Sequence, residues 1–124
     1  MRELTHHKLA GLNDALRIEV LDEPGHGNAC HLYRITVPDG PEAPWAVCCD
    51  IGFQNGPIQE AGINGISNEA LLAVLIDRMH GFQSGPFACR DNAIALTHLE
   101  GALMWLQKRT RDRLARGVEG TNQK

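Results

Sequence analysis

Apolar and polar positions change rhythm once along this chain, and the change divides it in two. Over residues 16–63 the rhythm is short. Leu16, Ile18 and Val20 alternate with Arg17 and Glu19, the period of two that places alternate side chains on opposite faces of a strand. Glu23-Pro24-Gly25-His26-Gly27-Asn28 is a turn cluster. A second strand is predicted over Ala29–Val37, and Pro38-Asp39-Gly40-Pro41 breaks it. A third is predicted over Trp45–Gln54, followed by the turn pair Asn55-Gly56. Pro57–Ile63 then reads as a short fourth strand at an edge, because proline donates no ladder hydrogen bond. The pattern is an antiparallel meander. Residues 1–15 fit neither period.

From residue 64 the period lengthens to that of a helix. Leu71, Leu72, Leu75, Met79 and Phe82 form one apolar stripe. Ser67 is placed to cap it, Glu69 complements the dipole of the first turn, and Ile66 and Leu71 are spaced as a hydrophobic staple. This helix is predicted over Asn68–Gln83, roughly 24 Å long. Ser84-Gly85-Pro86 stops it, and Pro86 suits the first position of a second helix. That helix continues to Arg116 with Gly117 as its left-handed terminator, about 31 residues or roughly 46 Å.

The two helices are unequal, and the longer one needs more cover than the shorter can give. Its seam, Leu96, Leu99, Leu103 and Leu106, steps by three and four residues. A second stripe, Ile94, His98, Ala102 and Trp105, lies beside it. Gly101 costs about 1 kcal/mol relative to alanine inside a helix, which a close helix crossing would explain. The expected fold class is α+β: one domain over 1–124, with a β-rich part (1–63) packed on a helical hairpin (64–117) and a tail (118–124). The uncovered seam makes an oligomer the expectation.

Composition narrows the chemistry. The chain has 124 residues and is 43% hydrophobic, which fits a folded domain with a modest core. No apolar run approaches the roughly 20 residues of a membrane span, and Met1–His7 carries no apolar signal region, so a cytosolic protein is expected. Cys30, Cys48, Cys49 and Cys89 are read as buried or half-buried free thiols. Residues 1–63 hold four Lys/Arg against nine Asp/Glu, whereas residues 64–124 hold eight against six. Five bases, Lys108, Arg109, Arg111, Arg113 and Arg116, crowd the end of the second helix around Asp112. Long nucleic acid calls for a broader basic face. A small anion needs only a focused site.

Several residues carry both a binding reading and a plainer one. Arg109 and Arg113 lie one turn apart, and Arg109 lies one turn after Trp105. They can form a two-guanidinium clamp on phosphate or a solvated helix end favoured by the dipole. Composition alone favours the second. Asn92 can set register in a helix seam or read a base edge with its amide. Phe82 and Phe87 can be core or a stacking platform. Arg90 can be a phosphate contact or a surface charge. His26, Cys30 and His31 match no zinc spacing, and His6-His7 reads as a mobile surface pair, so no metal is expected. The chain has no GxSxG, HExxH, P-loop or paired-carboxylate signature, so no catalytic residue is nominated and no cofactor is implied.

Three strings are more distinctive than their composition. They are Ile63-Asn64-Gly65-Ile66-Ser67-Asn68-Glu69-Ala70-Leu71-Leu72, Phe82-Gln83-Ser84-Gly85-Pro86-Phe87-Ala88-Cys89-Arg90-Asp91-Asn92-Ala93 and Leu106-Gln107-Lys108-Arg109-Thr110-Arg111-Asp112-Arg113. Together they resemble the hairpin domain shared by two groups of phage counter-defence proteins, one directed against Thoeris immunity and one against CBASS immunity. Asp22-Glu23-Pro24-Gly25, followed by His31, Tyr33 and Ile35, resembles the β-rich part of the anti-Thoeris group. The resemblance implies a non-catalytic sponge for cyclised ADP-ribose signals, with cyclic di- and trinucleotides as further ligands. It implies a homo-oligomer, a hexamer built from dimers, acting in the cytoplasm of an infected bacterium. It also implies stacking by Phe82, base or ribose recognition by Asn92, and phosphate clamping by Arg109 and Arg113. Arg90 joins them by position. An enzyme degrading the same signal, or an adaptor hairpin without a small ligand, would share the fold and differ in the ligand's fate.

Overall fold

A computed structural model describes residues 2–11, 13–38 and 45–124, with the side chains of Pro38 and of Trp45–Cys48 outside that description. The break expected after Pro38 and the Cys48 thiol therefore fall outside the described residues. The chain divides into two compact units. One holds residues 1–56 and 61–65, the other residues 57–60 and 66–124.

The first unit is a four-stranded antiparallel meander in the order β1 (Arg2–Leu4), β2 (Arg17–Val20), β3 (Leu32–Pro38), β4 (Trp45–Gly52). Three strands lie where the alternation placed them. The fourth does not: it is β1, from the stretch that fitted neither period, and it pairs Arg2 with Val20 and Leu4 with Ile18. Beside it, His7 is half-buried rather than a mobile surface group, and its Nε2 lies 2.8 Å from the Leu16 carbonyl. The core of this unit gathers around Val20, which is 1% exposed, with His31 and Thr36 also buried. Between β2 and β3 the Asp22 carboxylate accepts the backbone amides of His31 (2.9 Å) and Leu32 (3.1 Å). Desolvation pushes the Asp22 carboxyl up, but these two amides outweigh it and hold the group below its ordinary pKa.

The strand expected over Pro57–Ile63 is absent, and side-chain amides explain why. Gln54 Nε2 donates to the carbonyls of Gly56 (3.0 Å) and Gly62 (2.8 Å), and its Oε1 accepts the Asn64 amide. Asn64 in turn pairs with both backbone groups of Asn55. These bonds close the loop across the segment, reaching it at the Gly62 carbonyl, and Ile58–Ala61 between them is helical. The turn at Asn55-Gly56 is real, with Gly56 at φ +92°, but it leads into a short helix, α1 (Ile58–Ala61). Gly65 closes the loop under Phe53, where a Cβ would sit 2.4 Å from a backbone carbonyl carbon.

The second unit contains the hairpin. Its first helix, α2, spans Asn68–Gln83, and its second, α3, spans Arg90–Arg116. Ser67 caps α2 by accepting the Ala70 amide at 3.1 Å. Gly117 ends α3 at φ +72°. The start of α3 differs from expectation: Pro86 lies in the turn, and Cys89 is the cap, its Sγ accepting the Asn92 amide at 3.4 Å. The helix is therefore 27 residues, about 40 Å. The thiol estimate also changes. Cys30 is half-buried, but Cys49 and Cys89 are exposed, Cys49 on the edge strand β4 and Cys89 at the helix cap.

The buried face of α3 steps through Asn92, Leu96, Leu99, Leu103, Leu106, Thr110 and Arg113, alternating intervals of four and three residues. The facing stripe of α2 is rotated from the one read in the sequence. Leu72, Ile76, Met79 and Gln83 turn inward, while Leu75 and Phe82 stand at its exposed edge. His80 and Glu100 meet at 3.3 Å across the pair. A Cβ built at Gly101 would meet nothing within 4 Å, so among the described residues no helix crosses closely there. Among the described residues no helix is long and apolar enough to cross a membrane.

Candidate functional site

The helical period fixes which bases at the end of α3 face out. Arg113 continues the buried seam, whereas Trp105, Lys108, Arg109 and Arg116 lie off it. They line an open groove of about 320 Å³ together with Asp112, Arg113 and Lys124. Trp105 is 68% exposed. Lys108 is held by Asp112 at 2.7 Å, an i,i+4 pair. Arg109 has no hydrogen-bond or ion-pair partner among the described residues.

Arg113 is used quite differently. It is 7% exposed. Its Nε donates to the Glu119 carboxylate at 3.0 Å, and its Nη2 donates to the carbonyls of Val118 (2.8 Å) and Thr121 (3.2 Å). Nη1 donates to the Gln123 carbonyl. The tail folded over Arg113 is tied on its other side to α1. The Gln59 amide donates to Gly120, the Gln59 side chain to Glu119, and Asn122 to both carboxylate oxygens of Glu60. The expected two-guanidinium clamp is thus not open in this structure. The seam position that made Arg113 look like a partner for Arg109 buries it, and a buried guanidinium must satisfy its donors inside the chain.

The remaining nominated residues lie at the other end of the hairpin. Phe82 stands at the end of α2, with the Arg78 guanidinium 5.1 Å from its ring centroid. Arg90 is exposed on the first turn of α3. Asn92 is half-buried in the seam, and its side-chain amide has no partner among the described residues. Phe87 is exposed in the turn. Gln83 locks this end by accepting the Cys89 amide and donating to the Cys89 carbonyl, both at 3.1 Å. Seventeen residues separate Asn92 from Arg109, roughly 25 Å along the helix. The structure therefore places the nominated residues in two groups and does not bring them together within one chain.

Comparison with known proteins fits this hairpin geometry. The family model described as "Acb2/Tad1, hairpin domain" matches residues 47–111, just over half of the chain. The chain belongs to the Acb2/Tad1 hairpin family. It is also 55% identical over 74 residues to "Thoeris anti-defense 1" of Bacillus phage SBSphiJ7. That alignment covers 60% of this chain and 52% of the relative, so the chain matches about half the relative's length. The matched family segment contains Phe82, Arg90, Asn92, Trp105 and Arg109 and ends before Arg113.

Trp105, which the sequence places both in an apolar stripe and one turn before Arg109, forms a groove wall. The tail's role had no signal, because hydrogen bonds to carbonyl groups leave no mark on residue type. Among the described residues no cluster of His, Cys, Asp or Glu could hold a metal ion.

Proposed function

We propose that this protein sequesters cyclic nucleotide immune signals without reacting with them, and so blunts a bacterial antiphage defence. The ligand class is cyclised ADP-ribose, with cyclic di- and trinucleotides as further ligands of the same chemistry. The observation that carries the reading is the groove at the end of α3, where an unpartnered Arg109 guanidinium stands one turn from an exposed indole. A guanidinium fork suits a phosphate, and an open aromatic face suits a base. Membership of the hairpin family and the likeness to a protein named for anti-defence support the biological setting, the cytoplasm of an infected host.

In this reading Arg109 is the phosphate contact, and Arg113 acts by holding the tail that forms a groove wall. Phe82, Arg90 and Asn92 complete a pocket only when a neighbouring copy brings its hairpin turn to this basic end, because about 25 Å separates the two ends within one chain. A homo-oligomer, a hexamer assembled from dimers, supplies that juxtaposition and covers apolar side chains left exposed on the hairpin, Val74 and Leu75 among them.

The test is the fate of the ligand. The protein is incubated with a cyclised ADP-ribose, heat-denatured, and the supernatant chromatographed. Recovery of intact ligand that was protein-bound before heating supports sequestration. A cleaved product makes the protein an enzyme, and no binding across cyclised ADP-ribose and cyclic oligonucleotides makes it an adaptor.

A further inference from the structure

The Trp105 side chain lines two grooves rather than one. On one side is the groove with Arg109. On the other is a smaller one of about 160 Å³, lined by Met104, Trp105, Lys108 and Arg111. Both share Trp105 and Lys108, and each has its own arginine. Arg111, like Arg109, has no hydrogen-bond or ion-pair partner among the described residues. The other bases nearby are occupied: Lys108 by Asp112, Arg113 by the tail, and Arg116 by the Lys124 carbonyl. The two arginines without acceptors therefore flank the most exposed large aromatic ring of α3.

Packing of the hairpin does not account for this arrangement. Trp105, Lys108 and Arg111 point away from the seam that faces α2, and all three are exposed. An exposed indole leaves a large apolar face in water. The two guanidiniums at its flanks, neither paired with a carboxylate among the described residues, leave donors open to an anion on both sides. One ligand chemistry answers all three groups: a planar base over the indole and anionic groups on either side.

We propose that Trp105 is a base-stacking platform and that Arg111, in the groove it shares with Met104 and Lys108, is a second anion contact, so that the basic end of α3 binds a nucleotide bearing at least two phosphate charges across the tryptophan. This deepens the sequestration reading and rests on it.

The experiment is titration calorimetry with ADP and with pyrophosphate on the full chain and on W105L, W105F and R111E, with intrinsic fluorescence and gel filtration in parallel. Wild type is expected to bind ADP more tightly than pyrophosphate, with a change in tryptophan emission. W105L should lose about ten-fold for ADP and little for pyrophosphate, since stacking acts on the base alone. W105F should recover most of that loss. R111E should weaken both probes by ten-fold or more. Unchanged ADP affinity in W105L or in R111E overturns the proposal. So does a change of oligomeric state in W105L at exposed positions, which would make the ring an interface group. If these variants still retain cyclised ADP-ribose as wild type does, this subsite falls and sequestration stands; if wild type binds no nucleotide, both fall.

Discussion

The two ends of the hairpin are built from similar polar residues and treat them in opposite ways. At the turn, the backbone is tied down within the chain: Gln83 clamps both backbone groups of Cys89, Ser84 bonds Gly81, and Arg78 covers Phe82, while the Asn92 side-chain amide has no partner among the described residues. At the basic end the same economy applies to Arg113 and stops one turn short of it, leaving Arg109 and Arg111 open. Residue type does not separate these arginines. Helical phase does, because Arg113 falls on the seam through Leu99, Leu103 and Leu106, while Arg109 and Arg111 fall on either side of Trp105. Backbone clamps suit a turn of fixed geometry, and guanidiniums without an acceptor suit an anion.

The contrast breaks first at Arg113. Arg113→Met leaves the Glu119 carboxylate and the Thr121 and Gln123 carbonyls without the Arg113 donors, the Val118 carbonyl keeping Thr121, and should cost about 2–3 kcal/mol, less than a fully buried pair because Glu119 is partly exposed. Urea denaturation reads it, and a loss under 1 kcal/mol would mean the tail does not depend on this residue. Arg109→Glu is the opposite case. Its midpoint in urea should match wild type, while affinity for a cyclised ADP-ribose falls at least ten-fold, since one charged hydrogen bond is worth about 1.5–3 kcal/mol. Retained affinity would remove Arg109 from the site.

Smaller changes sharpen the comparison. Gln83→Ala removes both clamp bonds at an exposed turn and should lower stability by about 1 kcal/mol; amide exchange at Cys89 should quicken. Gly101→Ala meets no atom within 4 Å and should stabilise an isolated protomer by up to about 1 kcal/mol. A loss of assembly on gel filtration would instead show that a neighbouring copy approaches there. The smallest effect is in the sheet, where Arg34 and Asp50 form an exposed two-pronged pair across β3 and β4 at 2.8 and 3.1 Å. The Arg34 hydrogen bond, strengthened by its charge, holds the Asp50 carboxyl below its ordinary value despite some desolvation. The pair therefore stabilises above the ordinary carboxylate range and its contribution is lost as pH falls through the lowered pKa. Thermal melts of Asp50→Asn should lie slightly below wild type at pH 7 and converge with it once the pH falls below the lowered Asp50 pKa.

Much of this architecture was legible from period alone. The boundaries of α2 and the end of α3 coincide with those read from Ser67, the apolar stripe and Gly117, because capping and helical periodicity are local. Three strands were legible for the same reason. The misses were non-local. Nothing in Arg2–Leu4 marks a strand until β2 offers it an edge, and Pro57–Ile63 forms a short helix inside a loop that Gln54 and Asn64 close through their side-chain amides.

The candidate site divides the same way. Sequence alone determined that a basic cluster ends the second helix, that Phe82 and Asn92 sit near the turn, and that the two groups are too far apart to meet in one chain. Tertiary structure decided which arginine is available. A guanidinium buried by its seam position must take its hydrogen bonds from the nearest backbone, so Arg113 holds the tail and Arg109 faces the solvent. That choice follows from packing around the helix, which composition and spacing constrain but do not fix.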